Sequence, residues 1–213
     1  MKVNRTISRF MFSRMKGVLK EMYGKHTLRL VKKSRKINKE LLGQIKNISS
    51  NNPFASRIQM TFPFIALWIA SDRNIKPDNL GEIMYKAVDS FRVRRRCRRI
   101  DLNNEKHLKK YSLKVKKAEG WAKKHPKDSG SWRFVFDDKL HKEGCYHGVT
   151  YCPIADFCKK NDLLEIAPAL CKIDYLFVHL YHGVLFREHT IASGDKACDF
   201  WVVGDQKLTF VKW

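Results

Sequence analysis

No apolar run in this chain is long enough to cross a bilayer. The longest, residues 62–70, has nine residues, whereas a helical span needs about 20. Near the N-terminus, Lys2, Arg5, Arg9, Arg14 and Lys16 interrupt any apolar core, and no small-residue cleavage pattern follows. A secretory leader is therefore not expected. Closely spaced cysteine pairs are also missing. Cys97, Cys145, Cys152, Cys158, Cys171 and Cys198 are scattered, and the gap from Cys152 to Cys158 exceeds the C-x2–4-C spacing of a zinc site. A zinc site built from Cys152, Cys158, Cys171 and Cys198 with His182 or His189 is weighed on this ground and set aside. The expectation is a cytoplasmic chain with free thiols, no metal and no cofactor.

Acidic residues are scarce. Against 43 Lys and Arg there are 21 Asp and Glu, giving a formal charge of +22. Such an excess suits a polyanionic partner or an anionic membrane surface, or simply a solvated lysine-rich exterior. The densest stretch holds Arg92, Arg94, Arg95, Arg96, Arg98 and Arg99 with no aromatic among them, and only Tyr111 and Trp121 follow before Lys127. Nucleic-acid grooves interleave aromatic with basic side chains. A basic helix end, favoured by the backbone dipole, is the more ordinary account, and nucleic-acid contact through Arg92 to Arg99 is kept as an alternative.

What is present is ample core material. The 44% hydrophobic and 12% aromatic content excludes a disordered chain, since burial of that surface offsets chain entropy. Residues 8–47 show apolar positions three and four apart, broken at Gly24, and predict two helices. Ser49 to Pro53 reads as a linker. Residues 58–70 read as a buried helix with Pro63 near its start. Pro77 opens a helix whose stripe runs Leu80, Ile83, Met84, Ala87, Val88 and Phe91 and ends in the arginines. Residues 102–124 read as a solvated lysine-rich helix, and 125–130 is the clearest break. Then the period changes. Trp132, Phe134 and Phe136 alternate with Arg133, Val135 and Asp137, as in a strand. A second strand is predicted near residues 147–151, a short helix from Pro153 to Lys160, a longer one over 165–181, and strands at 184–191 and 198–203 joined by a hairpin at 192–195. The fold class is α+β: a helical N-terminal half followed by a small antiparallel sheet with helices packed on it. The division falls between 1–127 and 128–213, the two parts forming one compact domain.

The helix over 165–181 carries the chemistry. Asp174 lies inside the apolar stripe of Ala167, Leu170, Cys171, Phe177, Val178 and Tyr181. A carboxylate there needs a cation, a donor or a shifted pKa, and Arg187 on the following strand is a fitting partner. Cys171 and Asp174 are i, i+3 neighbours. Two readings stay open, a structural Asp–Arg pair that fixes helix against sheet and a catalytic pair. On the strands, Arg187 and His189 share one face, and Cys198 shares a face with Phe200 opposite Asp199. Cys198 also fits as an ordinary buried thiol.

Three segments together resemble a known family. Cys152-Pro153-Ile154, the run from Pro168 to Asp174, and Arg187-x-x-Thr190-x-x-x-Gly194-Asp195-x-x-Cys198-Asp199-Phe200 are similar to the signature of the L-2-amino-thiazoline-4-carboxylic acid hydrolases. Met22-Tyr23-Gly24, Asn52-Pro53-Phe54 and residues 62–70 follow the order of that family, so the resemblance covers roughly residues 10–203. It implies a hydrolase that attacks a cyclic amidine carbon and opens the thiazoline ring on the way to L-cysteine. It further implies Asp174 as base or amidinium anchor and Cys171 or Cys198 as nucleophile. Arg187 is then the carboxylate clamp, with Thr190 and Asp195 at the substrate and His182 or His189 moving a proton. Asp174 activating water directly is the competing route, because negative charge beside Cys171 raises a thiol's pKa. A non-catalytic small-molecule-binding relative is the alternative to hydrolysis.

Overall fold

The computed structural model describes residues 5–45 and 47–210. Helix α1 (Arg5–Tyr23) ends at Gly24, whose φ of 86° is left-handed and costs glycine nothing. After a short 3-10 turn, α2 (Leu28–Gln44) runs on. Both helices bury the predicted stripe, with Met11, Met15, Val18 and Leu19 from α1 and Val31, Leu41 and Leu42 from α2 inside the core.

The segment read as a linker is anchored. Asp128, from the predicted break, accepts hydrogen bonds from Ser49 N (3.2 Å), Asn52 Nδ2 (3.2 Å), Trp121 Nε1 (3.1 Å) and Gly130 N (3.0 Å). Composition alone does not show that two loops share one carboxylate, because the contact joins residues nearly eighty apart.

Helix α3 (Ala55–Ala70) begins three residues earlier than its apolar run, which places Pro63 in mid-helix. Proline there lacks one backbone donor, and the burial of Phe62, Phe64, Ile65, Leu67 and Trp68 holds the helix regardless. Helix α4 (Pro77–Val88) ends sooner than its stripe suggests. Ser90 accepts from Val93 N (3.4 Å) and caps a separate helix, α5 (Phe91–Cys97). Phe91 is thereby turned outward, 75% exposed, and does not belong to the stripe of α4. Helix α6 (Glu105–Lys124) starts at the Asn104 cap, so Leu102 lies before it, fully buried beside Val178, Leu185 and Val202.

The sheet is antiparallel throughout, in the order β1 (Arg133–Val135), β2 (Cys145–Tyr151), β4 (Cys198–Gly204), β3 (Gly183–Phe186). Helix α7 (Pro153–Lys160) follows β2, and α8 (Ala167–Leu180) packs on β3 and α4. Helical N-terminal half and C-terminal sheet are as predicted. One cluster of buried apolar residues runs from Met11 to Cys198 and joins them.

Strand β3 is shorter than its sequence pattern. The Asp199 carboxylate accepts from Glu188 N (3.1 Å) and His189 N (2.6 Å), so a side chain takes the backbone donors that a further ladder would use. β3 and β4 pair antiparallel as the hairpin reading expects, but the join is longer than residues 192–195 and contains a 3-10 turn over Ile191–Ser193 closed by Gly194 at φ 102°. Among the described residues no helix is long and apolar enough to cross a membrane.

Candidate functional site

On β4, period two puts Cys198, Phe200 and Val202 on one face. Phe200 lies opposite His147 and Cys198 opposite Val149 of β2, while Phe186 of β3 lies opposite Trp201. One residue further, Arg187 reaches the rung of Phe200. Its guanidinium sits 4.9 Å from the Phe200 ring centroid and 4.7 Å from that of Tyr175 on α8. Between these rings Arg187 Nη1 donates to Asp174 Oδ2 at 3.0 Å, and Nη2 donates to the Cys171 carbonyl at 3.1 Å. The arginine side chain is 3% exposed and the Asp174 side chain 21%. Arg187 Nε is buried without a hydrogen-bond partner among the described residues. Such a donor is costly to leave unmet.

The second oxygen of Asp174 has another cation beside it. Arg57 Nη1 lies 3.6 Å from Oδ1, with the Arg57 side chain 42% exposed. That distance is an ionic contact rather than a hydrogen bond. Arg57 lies over the ring of Phe54 at 4.4 Å, and Phe54 meets Trp132 and Phe134 edge-on. Arg57 is missing from the sequence-derived site because it lies in the helical half. The signal was there all the same: it is the one charged residue in α3.

His147, also missed, is buried against Phe200 (5.0 Å), Phe134 (5.9 Å) and Tyr111 (6.3 Å). Burial, with a smaller push from Arg57, lowers its pKa to about 3. The imidazole is neutral at physiological pH.

The cysteines line the inner side. Burial is the largest cause in each case and Asp174 adds to it: Cys171 is raised well above the usual thiol range and Cys152 to about 11. Cys198 is raised too, although the Ile191 N–H donates to its sulfur at 3.2 Å. Activated cysteines have depressed pKa values, and these three have the opposite.

The remaining predicted residues are elsewhere. Thr190 and Asp195 shape the loop before β4: Asp195 Oδ2 accepts from Thr190 N (2.8 Å), and Thr190 Oγ1 accepts from Ser193 N (3.1 Å). His189 lies at the same loop, 3.5 Å from Asp195 and largely exposed. His182 sits past the far end of α8, with Asp205 at 4.0 Å and Asn103 on its carbonyl. Asp174, Cys171, Cys198 and Arg187 are therefore gathered at one place, Thr190, Asp195 and His189 hold the adjoining loop, and His182 is apart. Among the described residues no group of His, Cys, Asp or Glu is arranged to hold a metal ion. Two clefts, of about 380 Å³ beside Arg73 and Leu163 and about 260 Å³ beside Ser112 and His141, border neither Asp174 nor Arg187.

The chain belongs to the L-2-amino-thiazoline-4-carboxylic acid hydrolase family, whose sequence profile it matches over residues 55–202. The match begins in α3, two residues before Arg57, and ends within β4, so it takes in every residue of the Asp174 constellation. No curated protein and no solved structure matches the chain.

Proposed function

From that membership we propose that the protein is a hydrolase acting on a small carboxylated cyclic amidine of the 2-amino-thiazoline kind, with Asp174 as its central group. The observation that carries the reading is the unequal use of the two Asp174 oxygens. Oδ2 is held by an enclosed arginine, while Oδ1 of the partly exposed carboxylate has a loose ionic contact to Arg57. A carboxylate fixed through one oxygen and only loosely paired through the other is preorganised to meet a cationic or proton-bearing group.

In the reaction, water adds to the ring carbon between sulfur and nitrogen. The bond from that carbon to ring nitrogen or sulfur then breaks as the departing atom takes up the proton lost by the water. Asp174 Oδ1 accepts the amidine N–H groups or the water proton. Arg187 positions Asp174 and does not need to touch substrate. Water is the preferred nucleophile over Cys171 or Cys198, since burial keeps both thiols protonated at neutral pH.

The test is turnover of L-2-amino-thiazoline-4-carboxylate by purified protein, followed by loss of the ring absorbance and by thiol release, with a chelator control. Activity that survives the chelator and falls by about 10²–10⁴ in Asp174→Asn fits general acid–base work by this group. Wild-type protein that leaves the substrate untouched overturns the hydrolase reading for this compound. Binding without turnover then identifies a binding protein.

A further inference from the structure

The arginine run at 92–99 takes no part in the Asp174 pairing, and the fold presents it differently from its sequence pattern. Helix α4 ends at Val88, and Ser90 caps the separate helix α5 (Phe91–Cys97). Val93 packs against the core and Cys97 is buried, so these two side chains fix the inner face of α5. The helical period then sends Phe91, Arg95 and Arg98 to the opposite face, at i, i+4 and i+7. All three are exposed, Phe91 by 75%, and the flanking Arg92, Arg94 and Arg99 are exposed as well. An aromatic ring that the sequence stripe assigns to the core of α4 stands instead in the middle of a basic outer face.

The face is short of acid. Asp89 holds Arg94 at 2.6 Å, the one ion pair of the run among the described residues. The N-terminal helix adds to the charge: Arg14 Nε donates to the Ala87 carbonyl at 3.4 Å, beside the junction of α4 and α5. The Arg92 guanidinium lies 5.8 Å from the ring centroid of Phe10 on the same helix. The helix dipole accounts for cations in the last turn of α5, but Arg92 is in its first turn, where the dipole opposes a cation. An exposed aromatic side chain is ordinary by itself. At the centre of a basic face it fits an anionic bilayer, whose boundary takes the ring while lipid phosphates take the guanidiniums. Single-stranded nucleic acid stacks successive bases on several aromatics, and no aromatic lies between Arg92 and Arg99.

We propose that the outer face of α5, with Phe91 at its centre and Arg95, Arg98 and Arg99 around it, docks the protein on membrane surfaces that carry acidic phospholipids. Phe91 enters the headgroup boundary and the arginines meet the lipid phosphate and carboxylate groups, so the contact is peripheral. The inference goes beyond the hydrolase reading and does not rest on it, since it concerns where the protein sits and not what Asp174 does. Two forces act together. One aromatic side chain anchors weakly alone, and attraction between exposed charges is screened by salt. The docking is therefore reversible, and it needs both the ring and the arginines.

The experiment is co-sedimentation of the full chain with vesicles of phosphatidylcholine alone or of phosphatidylcholine and phosphatidylserine in equal parts. Wild-type protein is expected on the mixed vesicles and not on phosphatidylcholine alone. Phe91→Ser is expected to weaken that binding about tenfold. Arg95→Gln/Arg98→Gln/Arg99→Gln is expected to weaken it about a hundredfold, at about fivefold for each arginine. The control is Lys32→Gln/Lys36→Gln/Lys39→Gln, which removes the same charge from exposed positions on α2 and is expected to cost no more than about threefold. Every substituted side chain is exposed, so the variants keep the wild-type midpoint in urea. Single-stranded polyuridylate is the competing probe. No binding of wild type to the mixed vesicles, an equal loss in the control, or undiminished binding by Phe91→Ser overturns the proposal. Polyuridylate binding that the arginine variant loses, without vesicle binding, overturns it in favour of nucleic acid.

Discussion

Arg187 donates to Asp174 at 3.0 Å from a position 3% exposed, while the carboxylate itself is 21% exposed. The cation is therefore the inner member of the pair and the anion the outer one. An enclosed arginine between two aromatic rings has little freedom, so it sets the orientation of Asp174. Its Nε has no hydrogen-bond partner among the described residues, a cost the fold carries at the sheet–helix junction.

Removing the inner partner should be expensive. Breaking a buried pair costs about 3–5 kcal/mol, and here Asp174 retains Arg57 and solvent. Arg187→Met is expected to lower unfolding stability by about 2–3 kcal/mol in urea titrations at pH 7. Asp174→Asn, which keeps an acceptor oxygen, costs about 1–2 kcal/mol. Arg187→Met within a few tenths of wild type means that the pair does not hold α8 to the sheet.

His147 gives the acid side of the stability profile. Its folded pKa is depressed to about 3 from 6.5, so its contribution is complete above about pH 6.5 and is lost as pH falls towards 3. At pH 5 the loss from this group is about 2 kcal/mol. His147→Phe, unable to titrate, should show a flatter dependence between pH 7 and 5 in urea titrations. Equal slopes for the two proteins exclude a neutral buried imidazole.

The thiols govern the alkaline side. Cys145, Cys152 and Cys158 are raised by burial to about 12, 11 and 12 from 9.0. A raised folded pKa means stability that is complete below pH 9 and is lost as pH rises through 11 to 12. Folded protein is expected to resist iodoacetamide at neutral pH at Cys152, Cys158 and Cys171, as mapped by mass spectrometry, and to react there only when unfolded. Rapid labelling of Cys171 in the folded state revives the thiol nucleophile.

Asp128 offers a test away from the site. It is 9% exposed and accepts from Ser49, Asn52, Trp121 and Gly130. Asp128→Ala strands several donors, each costing about 1–3 kcal/mol, and is expected to lose at least about 3 kcal/mol in urea titrations. Asp128→Asn should lose less. A near-neutral Asp128→Ala means that water satisfies those donors.

Periodicity located most elements because their faces are decided locally. The helix from Pro153 to Lys160 has the spacing its burial requires, and the strand from Cys198 begins where it was expected. It failed where a side chain replaced a backbone partner. Ser90 started a new helix inside one stripe, and Asp199 ended β3 by taking two N–H groups that looked destined for a ladder. In the site, Asp174 and Arg187 were legible as a pair, since a carboxylate inside an apolar stripe has few alternatives. Arg57 and His147 were not, because what each of them touches lies on segments distant in the chain.

The sequence by itself determined the α+β class, the family and the Asp174–Arg187 pairing. The class and the pairing follow from spacing along the chain and from the cost of burying charge, and the family from the resemblance of its motif residues. Tertiary structure alone decided which partner is enclosed, which oxygen of Asp174 that partner holds, and that Arg57 from α3 stands beside the other. Those depend on how distant segments pack, and electrostatic neighbours in space carry no mark in a linear order of residues.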